Sequence, residues 1–359
     1  MKVTLVTSLS GGGPVTHATL LADELRRLNV DVTAVVVDEQ TAGAFAAAGA
    51  DVVYAGHRRR TGSAVAKACR DADVVHSHDR RGALWVLGRV RMPGRVRVHT
   101  LHGLADAFLP IPGQPPPTLR DRLAYQVVEP ALLRRADRVI VPSEATRRLA
   151  TKLGHRAEQL FVVPNGVKPR PPVPRPADGA VGAIGILNPV KGFDVFLEAA
   201  ALLRASDPTI RFVIAGDGPE RARLHAMADR LGLGRAVQFL GAVRSADIVL
   251  PELDVIVISS HFESGPLIAL EAIAAGVPLV ATRCGGLPEM VPPDGATLVA
   301  PGDPKALADA IAAVRGDMVN ARRRADAARH MVEADRSAAT MASTILDIYR
   351  YALDSGTRR

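Results

Sequence analysis

DVIVISSHFESGPLIALEAIAAGVPLVATRCGGLPE, residues Asp254 to Glu289, decides the fold. DVIVISS is a short β-branched run of the kind that forms a buried strand in a parallel sheet. Pro266 suits the first position of a helix, with Gly265 as its cap. That helix runs through LIALEAIAA and stops at Gly276, with Pro278 just beyond. VPLVAT is the next strand, so the stretch reads as one βαβ unit. Leu267, Ile268, Leu270, Ile273 and the alanines leave the helix no polar face, which predicts that it is buried. Glu271 stands in the middle of this apolar run, where an unpaired carboxylate is costly. Glu263 lies eight residues earlier, in the loop where open α/β sheets bind ligands.

That spacing has a chemical reading. A loop acid and an acid about one and a half turns into a helix can face one elongated ligand. Between them the backbone amides of Leu267 and Ile268 point outward, unpaired, at the positive end of the helix dipole. The order is hydroxyl-binding acid, anion-binding amides, hydroxyl-binding acid, which suits a sugar, a pyrophosphate and a ribose. A surface acid plus a helix glutamate paired with an arginine serves the same spacing equally well.

The stretch resembles the donor-binding signature of glycosyltransferase family 4, the retaining, nucleotide-sugar-dependent enzymes of the GT-B fold. GGLPEM follows it, LVAPGD and ALADAI come later, and IAGDGPERARL precedes it, so the resemblance covers nearly the whole chain in order. It implies Glu263 on the sugar hydroxyls, Glu271 on the ribose diol, and donor contacts along Ser264, Gly265, Pro266, Leu267 and Ile268.

A chain of 359 residues exceeds one typical core and predicts two domains. No stretch is long and apolar enough for a membrane span, and MKVTLVTSLS is too strand-like for a signal peptide. Cys69 and Cys284 make no metal spacing, and a reducing, cytoplasmic setting is the default. Residues 1–168 carry 24 Lys+Arg against 15 Asp+Glu, whereas residues 169–359 carry 21 against 22. A basic N-terminal half suits an acidic acceptor, peripheral contact with an anionic membrane, or plain solubility. The run GHRRR (56–60) is solvated or serves the same contacts. No nucleic-acid partner is expected: no helix-turn-helix, zinc-finger or RNP pattern is present, and aromatics are only 4% for base stacking.

In chain order, KVTLVTS is a strand and Gly11-Gly12-Gly13 a turn into the helix VTHATLLADELRRL. Such a turn lets backbone amides approach a phosphate or sugar closely. A dinucleotide fingerprint needs a glycine where Thr16 stands, so Asp38, placed where a dehydrogenase holds ribose, is weak evidence for NAD. The resemblance sets Gly12 and Gly13 against an interdomain cleft. His17 and His78 are acceptor-side candidates, with His17 suited to packing. His102 ends the strand RVRVHT in a T-x-H-G context, and in the resembling family such a histidine lies near the transferred sugar. LPIPGQPPPT (109–118) is too proline-rich for helix or central strand and reads as a lid, an acceptor loop or an irregular connection.

Pro169–Pro176 holds five prolines in eight residues and predicts a stiff, extended connector. Beyond it, Pro189 as the first helical residue puts Lys191 in the first turn, useful if a phosphate sits above it. The family pattern G-R-L-x-x-x-K-G matches at Gly185, Leu187, Lys191 and Gly192. It departs at Ile186, where the family usually has an arginine that helps hold the diphosphate; Arg283 or Arg244 would have to replace that charge. Gly216 and the Leu240–Arg244 region are implied contacts of the nucleotide base.

The expected architecture is α/β: two Rossmann-like doubly wound domains facing a cleft. Residues 1–168 form the acceptor domain, 169–178 the linker, 179–338 the nucleotide-sugar domain, and 339–359 a helix crossing back. The expected activity is retaining transfer of a sugar from a nucleotide-diphosphate sugar to a hydroxyl acceptor. His102, Glu263 and Lys191 carry it, with no cofactor and no metal. The rivals are a nucleotide-sugar epimerase or hydrolase of the same fold, a non-catalytic nucleotide-sugar-binding protein, and, least, a dehydrogenase.

Overall fold

The computed structural model describes residues 1–56, 61–89, 94–174, 176 and 178–356. The basic run His57–Arg60 therefore lies outside the described residues. By internal contacts the chain divides into an N-terminal unit (Met1–Ala107, Pro116–Gly166 and Ser337–Arg359) and a C-terminal unit (Phe108–Pro115 and Val167–Arg336).

The N-terminal unit is built on seven parallel strands. They are β1 (Lys2–Val6), β2 (Asp31–Val36), β3 (Asp51–Tyr54), β4 (Val74–Ser77), β5 (Val96–Thr100), β6 (Arg138–Val141) and β7 (Leu160–Val162). Their order is β3-β2-β1-β4-β5-β6-β7. The wholly buried Leu21, Leu25 and Phe45 close one face of this sheet, joined by Ile345 and Tyr349 of the last helix, Ala338–Gly356. The register Val6↔Ser77 sets the ends of β1 and β4 level, so the turn after β1 and His78 emerge side by side. Asp79 ties them, accepting from Ser8 N and Ser8 Oγ at 2.6 Å each.

The C-terminal unit repeats the plan with β8 (Ala180–Ile184), β9 (Phe212–Ala215), β10 (Val237–Gly241), β11 (Leu253–Ile258), β12 (Leu279–Thr282) and β13 (Thr297–Val299). The order is β10-β9-β8-β11-β12-β13, all parallel. The chain winds outward from β8 to β9 and β10, then returns to β8's other side with β11. That reversal between β8 and β11 is the place where doubly wound sheets open a crevice for ligands. The register Ile256↔Gly182 brings both strands to that point together. At the opposite edge, Asp254 accepts from Gly179 N at 3.0 Å and pairs with Arg315 (3.5 Å) and Arg322 (3.3 Å), holding the start of β8 against two later helices.

Several local expectations change. The helix after β11 spans Leu267–Ala274, and Pro266 is its N-cap (φ −71°, ψ 112°), so neither Pro266 as first residue nor Gly265 as cap is right. Nor is the helix buried all round: Ile268 and Glu271, three apart, form a half-buried stripe on an otherwise buried cylinder. Lys191 is not in the first turn of the following α-helix. It ends a 3-10 turn, Pro189–Lys191, and the α-helix begins at Phe193 after the left-handed Gly192. Asp38 is a helix cap, accepting from Thr41 N at 2.9 Å. The proline-rich connector contains no helix or strand among its described residues, and Val173 N donates to Ala275 O at 3.0 Å, which seats it on the C-terminal unit.

Candidate active site

At the switch point of the C-terminal unit, loops from four strand ends lie against one another at distances that only glycine tolerates. A Cβ on Gly192 would stand 2.2 Å from Ser259 O, and one on Gly285 would stand 2.0 Å from Glu263 O. A Cβ on Gly216 would stand 1.8 Å from Gly185 O, and one on Gly218 would stand 2.4 Å from Leu187 O. Backbone bonds complete the joints: His261 N to Val190 O (2.8 Å), Gly286 N to Glu263 O (2.7 Å) and Gly216 N to Gly241 O (2.7 Å). Gly216 thus has a backbone reason to be glycine that needs no base contact.

Held in this frame, Lys191 and Glu263 meet. The Lys191 Nζ donates to Glu263 Oε1 at 2.7 Å and to Oε2 at 2.9 Å, and Ser260 Oγ donates to Oε1 at 2.6 Å. The glutamate side chain is 6% exposed and the lysine 26%. The carboxylate is thus almost enclosed while the lysine side chain stays partly exposed. Thr282 Oγ1 donates to Ser260 O at 2.5 Å and so braces the loop that carries both acceptor and donor. A buried carboxylate needs such a partner, since leaving it unpaired costs several kcal/mol, roughly 3–5 when one member of a buried pair is removed.

Next to this pair the helix Leu267–Ala274 begins without a side-chain cap, and the amides of Leu267 and Ile268 find no acceptor among the described residues. One turn on, Glu271 accepts no side-chain hydrogen bond from any described residue. Burial, reinforced by the negative charge of Asp247, raises its pKa above the usual carboxylate range, while Arg170 pulls the other way. Arg170 itself is paired with Asp247. Among the described residues Glu271 is therefore not locked onto an internal arginine, and its side chain is half-buried. Ser264, Gly265 and Pro266 line the same loop between Glu263 and the helix. Ile186 is 53% exposed, an apolar side chain at a polar strand end. Arg283 and Arg244 are exposed and form no ion pair with any described residue.

The N-terminal unit assembles a different chemistry at the matching strand ends. Gly12, with φ 82°, starts the helix Gly13–Arg27, a backbone conformation that favours glycine. His17 in that helix, His78 after β4 and His102 after β5 approach one another, with ring centroids 4.7 Å apart for His17–His102 and 5.6 Å for His78–His102. His17 and His78 are buried and His102 half-buried. Burial holds His17 down at about 4 even though Asn165 binds it, and sets His78 and His102 well below the ordinary imidazole value. His76 beneath them is saturated, bonded to Tyr349 Oη at 2.6 Å and Thr100 Oγ1 at 2.7 Å.

In the sequence His17, His78 and His102 stand far apart, and no local pattern joins them. The only available signal was that His78 and His102 follow strand ends and His17 lies early in the helix after the first strand of the same doubly wound sheet. The partners Asn165 and Tyr349, 148 and 273 residues away from the rings they bind, gave no local signal.

Residues 173–331 match the model of glycosyl transferases group 1, and residues 11–170 that of glycosyltransferase family 4. The chain is 32% identical over 289 residues to a glycogen synthase of Mycobacterium tuberculosis, covering 77% of this chain and 68% of that protein. It is 34% identical over 249 residues to a D-inositol 3-phosphate glycosyltransferase of Mycobacterium marinum, 61% of this chain but only 50% of that protein. Among solved structures, Anabaena HepE in complex with UDP-glucose superposes with a TM-score of 0.85 at 20% identity, over 98% of this chain and 100% of that one. Sucrose-phosphate synthase from Thermosynechococcus elongatus gives 0.81 at 20% identity, over 99% of both chains. The two family matches and the length of the match to a named relative show that the chain belongs to glycosyltransferase family 4, and the likeness in fold gives it the two doubly wound domains of the GT-B fold class.

Proposed function

We propose that this protein transfers a sugar, with retention at the anomeric carbon, from a nucleotide-diphosphate sugar to a hydroxyl acceptor, with no divalent cation at the diphosphate. The observation that carries this is the Lys191–Glu263 pair, set at the switch point beside an uncapped helix start and an unpartnered Glu271. A nucleotide-diphosphate sugar presents the complementary groups. The diphosphate meets the Lys191 ammonium and the Leu267 and Ile268 amides, the ribose diol meets Glu271, and the sugar hydroxyls meet Glu263. As the donor's glycosidic bond breaks, charge accumulates on the leaving diphosphate. Fixed amides and a lysine already held in place stabilise that charge without reorganising, usually the largest catalytic contribution. Part of the lysine's interaction shifts from carboxylate to phosphate, while Ser260 keeps Glu263 hydrogen-bonded. From the N-terminal unit, His102 is carried over as the side chain beside the reacting sugar, with His17 and His78 on the acceptor side.

The decisive experiment incubates the protein with UDP-glucose and other nucleotide sugars and a panel of hydroxyl acceptors, then reads the product's anomeric configuration by NMR. An axial donor giving an axial product is expected. An inverted product, or release of free sugar alone, overturns the reading. The nucleotide dissociation constant is expected to be the same in Mg²⁺ and in chelator; tightening by Mg²⁺ overturns the metal-free diphosphate site.

One observation favours a second reading. Ile186 leaves the phosphate side without the arginine of the family pattern, which suits a non-catalytic nucleotide-sugar binder. That protein would be stabilised by UDP yet turn over no donor.

We also infer peripheral contact with an anionic membrane surface from one surface feature. No described helix is long and apolar enough to cross a membrane. Yet Leu119, Leu123, Val127 and Val128 are all more than half exposed along residues 119–128, next to Arg120 and Arg122. Apolar side chains flanked by arginines suit an anionic bilayer. Co-sedimentation with phosphatidylglycerol vesicles is expected to fall with salt and with Leu123→Asp; no binding in low salt overturns this contact.

A further inference from the structure

Two of the three clustered imidazoles of the N-terminal unit, His17 and His78, each have a buried ring nitrogen with no hydrogen-bond partner among the described residues. One ring nitrogen from each of His17, His78 and His102 lies within 4.8 Å of those from the other two, and His78 Nδ1 is 3.3 Å from His102 Nε2. His17 Nδ1 faces Asn165 Oδ1 at 3.0 Å. A carbonyl oxygen only accepts, so the proton is on Nδ1 and the lone pair on Nε2. That Nε2 is buried without a hydrogen-bond partner, and so is Nε2 of His78. A buried polar atom left unmet is destabilising, and the two orphans belong to rings of one cluster.

We propose that His17, His78 and His102 bind a single first-row divalent cation, zinc by preference, leaving a fourth position to water or an acceptor hydroxyl. The donor set is all nitrogen, which suits zinc, cobalt and nickel; magnesium and calcium take oxygen ligands. Imidazole ligates as the neutral ring, and the Asn165 contact leaves the lone pair of His17 Nε2 free to do so. The His17–Asn165 bond is the outer-shell contact that fixes a ligating histidine's tautomer. Zinc–nitrogen bonds of about 2.1 Å place tetrahedral ligands roughly 3.4 Å apart, so closure needs ring movements of about 1 Å. His76 is excluded because both its nitrogens are already bonded. This site is in the N-terminal unit and does not rest on the donor reading of Lys191 and Glu263.

The test titrates Co²⁺ into the metal-stripped full chain and follows the visible absorption of tetrahedral cobalt. One equivalent is expected to saturate the wild type and to be displaced by Zn²⁺. His17→Gln and His78→Gln are expected to abolish the signal. Asn165→Ala, which touches only the outer shell, is expected to weaken binding by about 10–100-fold. His330→Gln, on an exposed helix of the other unit, is expected to bind as the wild type does. A wild-type titration without a stoichiometric spectral change overturns the proposal, whether or not a variant folds; so does a full signal in the folded His17→Gln/His78→Gln double variant. Nucleotide binding, measured in the same samples, is expected to be indifferent to the metal, which separates this site's failure from that of the donor site.

Discussion

Glu271 shows how much a single side chain can reveal when its surroundings do not satisfy it. A carboxylate half-buried in an apolar helix, raised in pKa by burial and by Asp247 and bonded to no described side chain, carries a desolvation cost. It is useful only if something else supplies donors. Glu271→Gln separates the two effects. The amide removes the desolvation penalty of the charge, so the ligand-free protein is expected to melt at the same temperature or slightly higher. Binding of a nucleoside diphosphate is expected to weaken by about 10–100-fold, the worth of roughly 1.5–3 kcal/mol for hydrogen bonds to a charged acceptor. Calorimetry of UDP binding beside a thermal melt reads both. An unchanged dissociation constant removes Glu271 from the ribose. Lys191 and Glu263 contrast with it, because each already satisfies the other.

At the scale of elements, the candidate site is four loops held together by glycine backbone contacts. Gly216→Ala tests that joint directly. Its Cβ would stand 1.8 Å from Gly185 O, and φ is already +147°, so the loops after β8 and β9 must part. The expected result is a loss of about 2–4 kcal/mol of stability and weaker nucleotide binding, seen in denaturant melts and UDP titrations. Gly234→Ala, also at positive φ but with open space around it, is expected to lose less stability and no binding. Equal losses in both would show that backbone strain, not the loop joint, sets the cost. Much of this level was legible in the sequence, because strand and helix periods alternate and the Asp254–Glu289 unit carries both signals. Helix starts were less so: Pro266 reads equally well as cap or first residue, and Lys191 became part of a 3-10 turn because Gly192 turns left-handed. The joint itself was invisible, since contacts among strand ends depend on sheet order, which no local pattern encodes.

The two units also differ as wholes, and acid should separate them. His99 and His155 are buried in the N-terminal unit, and burial lowers each to about 4 from an ordinary 6.5. A histidine whose folded pKa is depressed stabilises the native state fully above its unfolded pKa. That contribution is lost as pH falls from about 6.5 towards 4, because the unfolded chain takes up the proton first. A displacement of this size is on the order of 3 kcal/mol per ring. In the C-terminal unit the raised Glu271 has the opposite sign, favouring the fold as pH falls, while the lowered His261 opposes it. The metal-free N-terminal unit should therefore open first on acidification. Hydrogen exchange between pH 7 and pH 5, corrected for intrinsic rates, is expected to show protection falling at β1 and β6 while β8 and β11 hold. His155→Gln, which has no proton to gain, should flatten that slope in the N-terminal unit alone. If β8 and β11 lose protection first, or the slope persists unchanged in His155→Gln, buried histidine does not govern this unit's acid stability.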